Sequence, residues 1–543
     1  MVKKVIILSP VLLGILFLGS IGEQSPDAAT QLQQAEAYKK AGSYQEALGI
    51  YQQVVLQNPG TEFAFQAQKN LVFLYIVTDQ QPQAEAALRE LLSGYSGHER
   101  LPHSIHEVIE QCVKPGKCLE ARQLCQNLLS NPSLSNQAIW LQMGVALSNT
   151  YLGDDQALTV AVGSLIRGFS NDSRIAEAVD QVAWSCRKLQ KYDKACLLYQ
   201  YVVDNWPDNE RVIFAQRGIV LSKLAVGDGK AAWAAIQKLV SEFSQNVHIT
   251  EVVYHIAENY RDTGKYEEAR VLYRYIIDNW PQSEQVIWSL RGVALSSIAL
   301  GDESGIEAAT ETLFAQFSGN RLMAQIVYQI ARKLKDDQKA VAIYQYVIQN
   351  HPDSEFAVLS QVIIGNIYIR LDDEASARSI FDKVLADFST HPILPKAVAL
   401  MADGYYDKAL LEEQGNHNKE AGEYYQKAIV ECERIITQLP ETVYITPEAH
   451  KLAGDCYLRL GQDTEAVEYY RRVVDNWPDY KYAWNALFRI GRSYEEFVES
   501  GLMSKSQADP VIKAVYQQLV RKYPDCKMAR YARRWLGRHN SAN

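Results

Sequence analysis

Few residues of this 543-residue chain stand at spacings that chemistry uses, and each such pattern is incomplete. His103 and His106 are three apart, so on a helix they share one face as a pair of metal ligands does, but two histidines alone make a weak metal signal. "HEVIE" at His106–Glu110 is not the HExxH of zinc hydrolases, because its last residue is Glu110. "GDGKAA" at Gly227–Ala232 lacks the upstream glycine and the Ser or Thr of a phosphate-cradling loop. No GxSxG elbow occurs. With 64 acidic residues, carboxylate pairs can be picked anywhere and decide nothing. The sequence therefore predicts no catalytic residue, no metal and no cofactor, and the chain reads as not an enzyme.

The eight cysteines form no CxxC and no Cys/His cluster with zinc spacing. Cys112 with Cys118, and Cys186 with Cys196, each flank a helix–helix turn, so either pair could close a hairpin as a structural disulfide in an oxidising compartment. Buried free thiols are the alternative.

The N-terminus, "MVKKVIILSPVLLGILFLGSIGEQ", has two lysines, an apolar run over Val5–Leu18, and small residues Ser20 and Gly22 before a cut at Glu23. The run is about 14 residues, short of the roughly 20 that span a bilayer, so a cleaved signal peptide over 1–22 is expected, with an uncleaved anchor as the alternative. No cysteine near the cut can carry lipid, and no later stretch is a candidate span. The mature chain reads as periplasmic or secreted. Cleavage takes the formal charge from −9 to about −11, which disfavours nucleic acid and anionic membrane as partners.

The elements that must position any site are set by a repeat. Asn58, Tyr95, Asn131, Phe169, Trp206, Phe243, Trp280, Phe317, His351 and Phe388 mark helix ends about 37 residues apart, followed by Leu439, Trp477 and Tyr523. "WLQMGVALS", "FAQRGIVLS" and "WSLRGVALS" recur at twice that interval, so units of two kinds alternate. Each unit holds two apolar-periodic segments. In Glu251–Pro281, Val253, Ile256, Ala257 and Tyr260 line one helix face, and Ala269, Tyr273 and Ile276 line the next, joined through Gly264. In the recurring "VVDNWPD", Asn205 is expected to end its helix in the left-handed conformation, Trp206 to wedge between units, and Asp208 to start the next helix.

The spacing resembles the tetratricopeptide repeat, with Val253, Ile256, Ala257, Tyr260, Ala269, Tyr273 and Pro281 at its signature places, and His450, Ala453, Gly454, Tyr457, Ala466, Tyr470 and Pro478 at the same places in a later unit. The resemblance covers roughly residues 28–525. It implies an all-α, right-handed superhelical solenoid of about thirteen helix-turn-helix repeats. The organisation expected is a regular array over 28–392, an elongated repeat over 393–440, a further repeat over 441–479, and an elongated terminal repeat with a capping helix over 480–540. The style is similar to exported bacterial members, among them outer-membrane assembly and Tol-Pal-associated proteins.

In this family the first helix of each unit lines a concave groove that meets peptides. Carried onto two well-matched units, that face comprises Asp180, Trp184, Arg187 and Lys188, then Tyr254, Glu258, Arg261 and Asp262. The function implied is a non-catalytic protein–protein interaction scaffold of the cell envelope, whose partners are other envelope or secreted proteins. A self-associating structural protein is the alternative. An exported α/α-toroid enzyme is a third class, but its hairpins are not built on this small/aromatic pattern.

Overall fold

The computed structural model describes residues 28–540, so the segment 1–22 expected to direct export lies outside the described residues. Every regular element among the described residues is helical. The chain divides into two compact units, Met1–Ile249 and Thr250–Asn543.

The first unit holds six hairpins. They are α1 (Ala28–Ala41) with α2 (Tyr44–Gln57), α3 (Glu62–Val77) with α4 (Gln81–Gly94), and α5 (Leu101–Gln111) with α6 (Cys118–Leu129). Then follow α7 (Ala138–Leu152) with α8 (Asp155–Phe169), α9 (Ile175–Lys188) with α10 (Tyr192–Asn205), and α11 (Val212–Ala225) with α12 (Gly229–Glu242). The second unit holds α13 (Ile249–Asp262) with α14 (Tyr266–Asn279), α15 (Gln285–Leu300) with α16 (Glu303–Phe317), and α17 (Met323–Ala331) with α18 (Asp337–Asn350). It continues with α19 (Glu355–Arg370) and α20 (Glu374–Asp387), α21 (Leu394–Gln414) and α22 (Asn418–Gln438), α23 (Ile445–Arg459) and α24 (Asp463–Asn476), and α25 (Ala483–Glu499) and α26 (Lys505–Lys522). An unpaired α27 (Ala529–Asn540) closes the row, burying Ala532 and setting Trp535 against Tyr516 at 5.6 Å while Arg530, Arg533, Arg534 and Arg538 stay exposed.

Two kinds of turn make the row. Inside a hairpin one residue takes the left-handed conformation: Gly264, at φ +79°, has no Cβ to oppose it. Gln190, at φ +60°, fills the same place with a side chain that disfavours it. Between hairpins, at four successive or alternate junctions, the residue three beyond the helix-end marker folds its side chain back on the chain. Asn209 accepts from the Arg211 N–H at 2.9 Å, Asn246 from His248 at 2.9 Å, Asn320 from Leu322 at 2.9 Å, and Asp172 from Arg174 at 2.9 Å. Such Asx-type turns need only a short side chain with an acceptor, which explains why "FSND", "FSQN" and "FSGN" alternate with "WPDN".

The structure corrects two details of the sequence reading. Asn205 stays right-handed, and its Nδ2 instead donates to the Tyr201 carbonyl at 2.9 Å, satisfying one of the last open carbonyls of α10. Trp206 is the cap residue, stacks edge-on to Tyr201 of its own helix at 5.4 Å and packs against the buried core of the first unit. Asp208 lies within the turn, and α11 begins only at Val212. All eight cysteines are free thiols, so neither of the two pairings that the sequence left open, Cys112 with Cys118 and Cys186 with Cys196, is bridged in the structure. For the second pair the reason is direction: Cys186 faces Thr150 of the preceding hairpin, whereas Cys196 faces Ser222 of the following one.

Packing separates an inner row from an outer one. In the first unit the first helices α1, α3, α5, α7, α9 and α11 pack successively on each other, and in the second unit α15, α17, α19, α21 and α23 do the same. The second helices pack chiefly on their own partner and on the next first helix, as α10 does on α11 and α14 on α15. First helices are thus buried on several sides and show water one strip, the inner face. The packing device is a ring set against a glycine. A Cβ on Gly292 of α15 would lie 2.4 Å from the Tyr273 ring of α14, and one on Gly218 of α11 would lie 2.4 Å from Tyr199 of α10. A buried tyrosine needs an acceptor for its hydroxyl, and the first helix supplies it: Tyr51 donates to Glu36 at 3.0 Å, Tyr470 to Asp455 at 2.6 Å, and Tyr273 to Glu258.

Candidate functional site

The inner strips of the first helices collect the polar groups that the core does not absorb. In the first unit much of this strip bonds to itself. His106 of α5 is 1% exposed, and its Nδ1 lies 2.6 Å from Gln181 Oε1 of α9. Its Nε2 lies 2.9 Å from Ser185 Oγ of α9 and 3.1 Å from Tyr151 Oη of α7. Burial pushes the His106 pKa down, so the ring is held neutral in this node. Glu110, one turn on, pairs with Lys188 of α9, and Glu107 pairs with Lys69 of α3 at 2.6 Å and with His103 at 3.3 Å. "HEVIE" therefore ties α5 to the helices on both sides, and no group of three or more metal-ligating side chains stands together among the described residues.

Those ties fix the outcome for the first set of expected groove residues. Trp184 is half-buried and meets the His106 ring edge-on at 4.9 Å, with Lys188 Nζ 5.0 Å from its centre. Trp184 and Lys188 thus serve the contact between α5 and α9. Arg187 is half-buried beside Tyr199 and Asp180. Asp180 forms no ion pair, and desolvation pushes its carboxyl up to about 6 despite Arg211 and Arg217 nearby.

In the second set, Glu258 is taken by the Tyr273 hydroxyl and by a fork from Arg261, whose Nη2 lies 2.7 Å from Oε2. Arg261 also reaches Asp262 at 3.0 Å. Tyr254 is half-buried, 5.9 Å from the Tyr273 ring, with its hydroxyl pushed up to about 12 by burial. Asp262 is exposed at the end of α13. The structure thus brings Glu258, Arg261, Asp262 and Tyr254 together, most of them bonded to each other.

Asp180 gives a direct test. Its folded-state pKa lies above the ordinary 3.8, so the native chain binds this proton more tightly than the unfolded chain, and the strain of the charge disappears as pH falls through about 6. Asp180→Asn is expected to raise stability at neutral pH by about 1–3 kcal/mol, with the gain vanishing near pH 4. Chemical denaturation at the two pH values checks this, and a loss of stability at neutral pH would show the carboxylate held by its arginines.

Sequence reasoning missed the inner face of α21. Asp403 and Asp407, one helical turn apart, border a cleft of about 430 Å³ with Asn366 and Arg370 of α19 and Tyr344 of α18. Neither aspartate has an ion pair or hydrogen bond. Desolvation, with Glu448 and Asp407 adding repulsion, pushes Asp403 up to about 6, and desolvation also raises Asp407. The legible signal was the i, i+4 pair of acids inside the repeat that departs from the common length.

With the geometry described, comparison with known proteins places its elements. Tetratricopeptide repeat models match residues 447–490, and 29–61, 251–283 and 329–354. Tetratricopeptide repeats are therefore present in the chain. No curated protein matches it in sequence. Among solved structures, yeast Tom70 is similar at 11% identity, covering 95% of this chain and 96% of that one with a TM-score of 0.32. The Naa15/Naa10 complex bound to HypK gives 11% identity, 92% and 89% coverage, and a TM-score of 0.39. A tetratricopeptide repeat protein from Parabacteroides merdae gives 12%, 59% and 98%, and 0.29. At these scores nothing of those proteins' roles passes to this chain.

Proposed function

We propose that this chain is a non-catalytic scaffold of the cell envelope that binds other proteins along the inner face of its first helices. The observation that supports the reading is the set of side chains on that face which folding leaves unused: Asp180 in the first unit, half-buried, and Asp403 and Asp407 in the second, exposed, stand without ion-pair partners. A fold gains nothing from keeping such groups charged, whereas a partner that pairs with them does. The rows of packed first helices present a pre-organised surface, so many modest contacts add without an ordering cost at each. Export through residues 1–22 brings the chain to the envelope, the compartment of the exported repeat proteins it resembles. The titratable groups with the largest shifts are tyrosines and cysteines displaced by burial, as packing produces.

Capture from envelope extracts tests the proposal. Immobilised full-length chain is expected to retain specific proteins, and Asp180→Lys together with Asp403→Lys is expected to abolish their retention. Retention unaffected by both changes would move the binding surface off the inner face. A concentration-dependent rise in mass by light scattering, with no other protein retained, would replace the scaffold with a self-associating protein.

A further inference from the structure

We infer that the outward face of α27 docks the closing end of the second unit on a membrane surface of anionic phospholipids; the inference goes beyond the scaffold reading and does not depend on what the inner face binds. Residues 521–540 hold seven arginines and lysines against one acid, Asp525, in a chain whose net charge is −9. Arg530, Arg533, Arg534 and Arg538 stand at i, i+3, i+4 and i+8, so they form one stripe along α27, about 18 Å long. Arg521 and Lys522 at the end of α26, and Lys527 in the turn, add three more cations at its N-terminal end. All seven are exposed, and none has an ion pair among the described residues. The chain takes one donor from them, the Arg533 Nη2, which bonds the Pro524 carbonyl at 2.8 Å.

Unpaired guanidinium and ammonium groups call for an anionic partner, and guanidinium meets phosphate with paired hydrogen bonds. A protein partner would need an apolar or aromatic centre to the contact. The stripe offers none, because the apolar side of α27 is spent on the hairpin beneath. Ala532 is 0% exposed, Trp535 meets the Tyr516 ring, and the Tyr531 hydroxyl donates to Glu495 at 2.7 Å. Nucleic acid, the other phosphate polymer, would be read by aromatic or amide side chains that the stripe lacks. A contact made by charge alone fits lipid headgroups, where each Lys or Arg held near an anionic bilayer raises binding about fivefold. The acids elsewhere in the chain do not cancel the patch. Residues 401–450, with ten acids against four bases, lie two hairpins back, roughly 20 Å away given the spacing of packed helices. That exceeds the Debye length of about 8 Å, so the net charge that disfavours an anionic membrane for the whole chain does not govern its end.

The test is co-sedimentation of the full chain with vesicles of phosphatidylglycerol mixed into phosphatidylcholine. The readout is the excess over vesicles of phosphatidylcholine alone, so that adsorption independent of charge cancels. The wild-type chain is expected to show this excess and to lose it with rising salt. Arg530→Gln with Arg534→Gln is expected to weaken the excess binding about 25-fold, two fivefold steps. Arg530→Lys with Arg534→Lys should keep it, and Lys419→Gln on α22 should leave it unchanged. The side chains of Arg530 and Arg534 are exposed and bond to nothing in the chain, so the glutamine pair should melt at the wild-type temperature, which excludes misfolding as the cause. No excess binding by the wild type, or equal binding by the glutamine pair, overturns the inference. Tighter binding of a short DNA duplex or of polyglutamate than of the mixed vesicles, at the same salt, overturns it in favour of that polyanion.

Discussion

Tyr273→Ala is expected to destabilise the second unit by about 3–5 kcal/mol, the largest effect of any single substitution considered for this chain. The ring is 0% exposed, lies between α13 and α15, and rests on the bare backbone of Gly292. Removing it leaves a cavity at the junction of two hairpins and strips Glu258 of a hydrogen bond. Gly292→Ala approaches the same contact from the other side. Its new methyl would sit 2.4 Å from the ring, so the helices must part, at about 1–3 kcal/mol. Because a repeat array need not unfold in one step, the measurement is hydrogen exchange resolved by hairpin. Protection should fall first in α13–α16 for both variants. Uniform loss across the chain would contradict a local seam, and unchanged protection in Gly292→Ala would show that the ring has room to move.

The second large effect concerns acid. His450 of α23 is 4% exposed, packs 5.3 Å from the Trp477 ring, and has its pKa pushed down to about 4 by burial and by Arg472. The unfolded chain protonates this ring near its ordinary 6.5, so the native state is favoured above that pH and loses the advantage as pH falls from 6.5 toward 4. The full span amounts to about 2–3 kcal/mol. Asp180 and Asp403 pull the other way over a similar range, so the readout is the difference between His450→Gln and wild type at each pH. That difference should move in favour of the variant by about 2–3 kcal/mol between pH 7 and pH 4. A difference independent of pH would show the imidazole already charged in the native state.

The row of hairpins was legible because its causes are local. The small–aromatic spacing around Ala257, Tyr260, Ala269 and Tyr273 fixes two amphipathic helices, and Gly264 fixes the turn between them. The inter-hairpin turn was half legible. Pro207 correctly marks an end, but the residue that shapes the turn is Asn209, whose role depends on one side-chain hydrogen bond that periodicity does not reveal. The inner face was least legible. Pattern assigns Trp184, Lys188, Glu258 and Arg261 to one strip of their first helices, yet it cannot say how far one hairpin rotates against the next. That rotation brings α5 within reach of α9 and consumes Trp184 and Lys188, while Tyr273 and Arg261 consume Glu258. The choice between a disulfide and free thiols was open for the same reason, since Cys186 and Cys196 lie near one turn but face different neighbours. Asp403 and Asp407 share a cleft with Arg332, Arg370 and Lys408, an assembly from three helices that no spacing within one repeat reveals.

The central claim is that partners occupy the inner face of the first helices. Hydrogen exchange of the full chain, with and without a captured envelope protein at saturating concentration, addresses it most directly. The account predicts added protection on the first helices, with the second helices unchanged. Protection confined to the second helices, or absent along the whole chain in a stable complex, would contradict it.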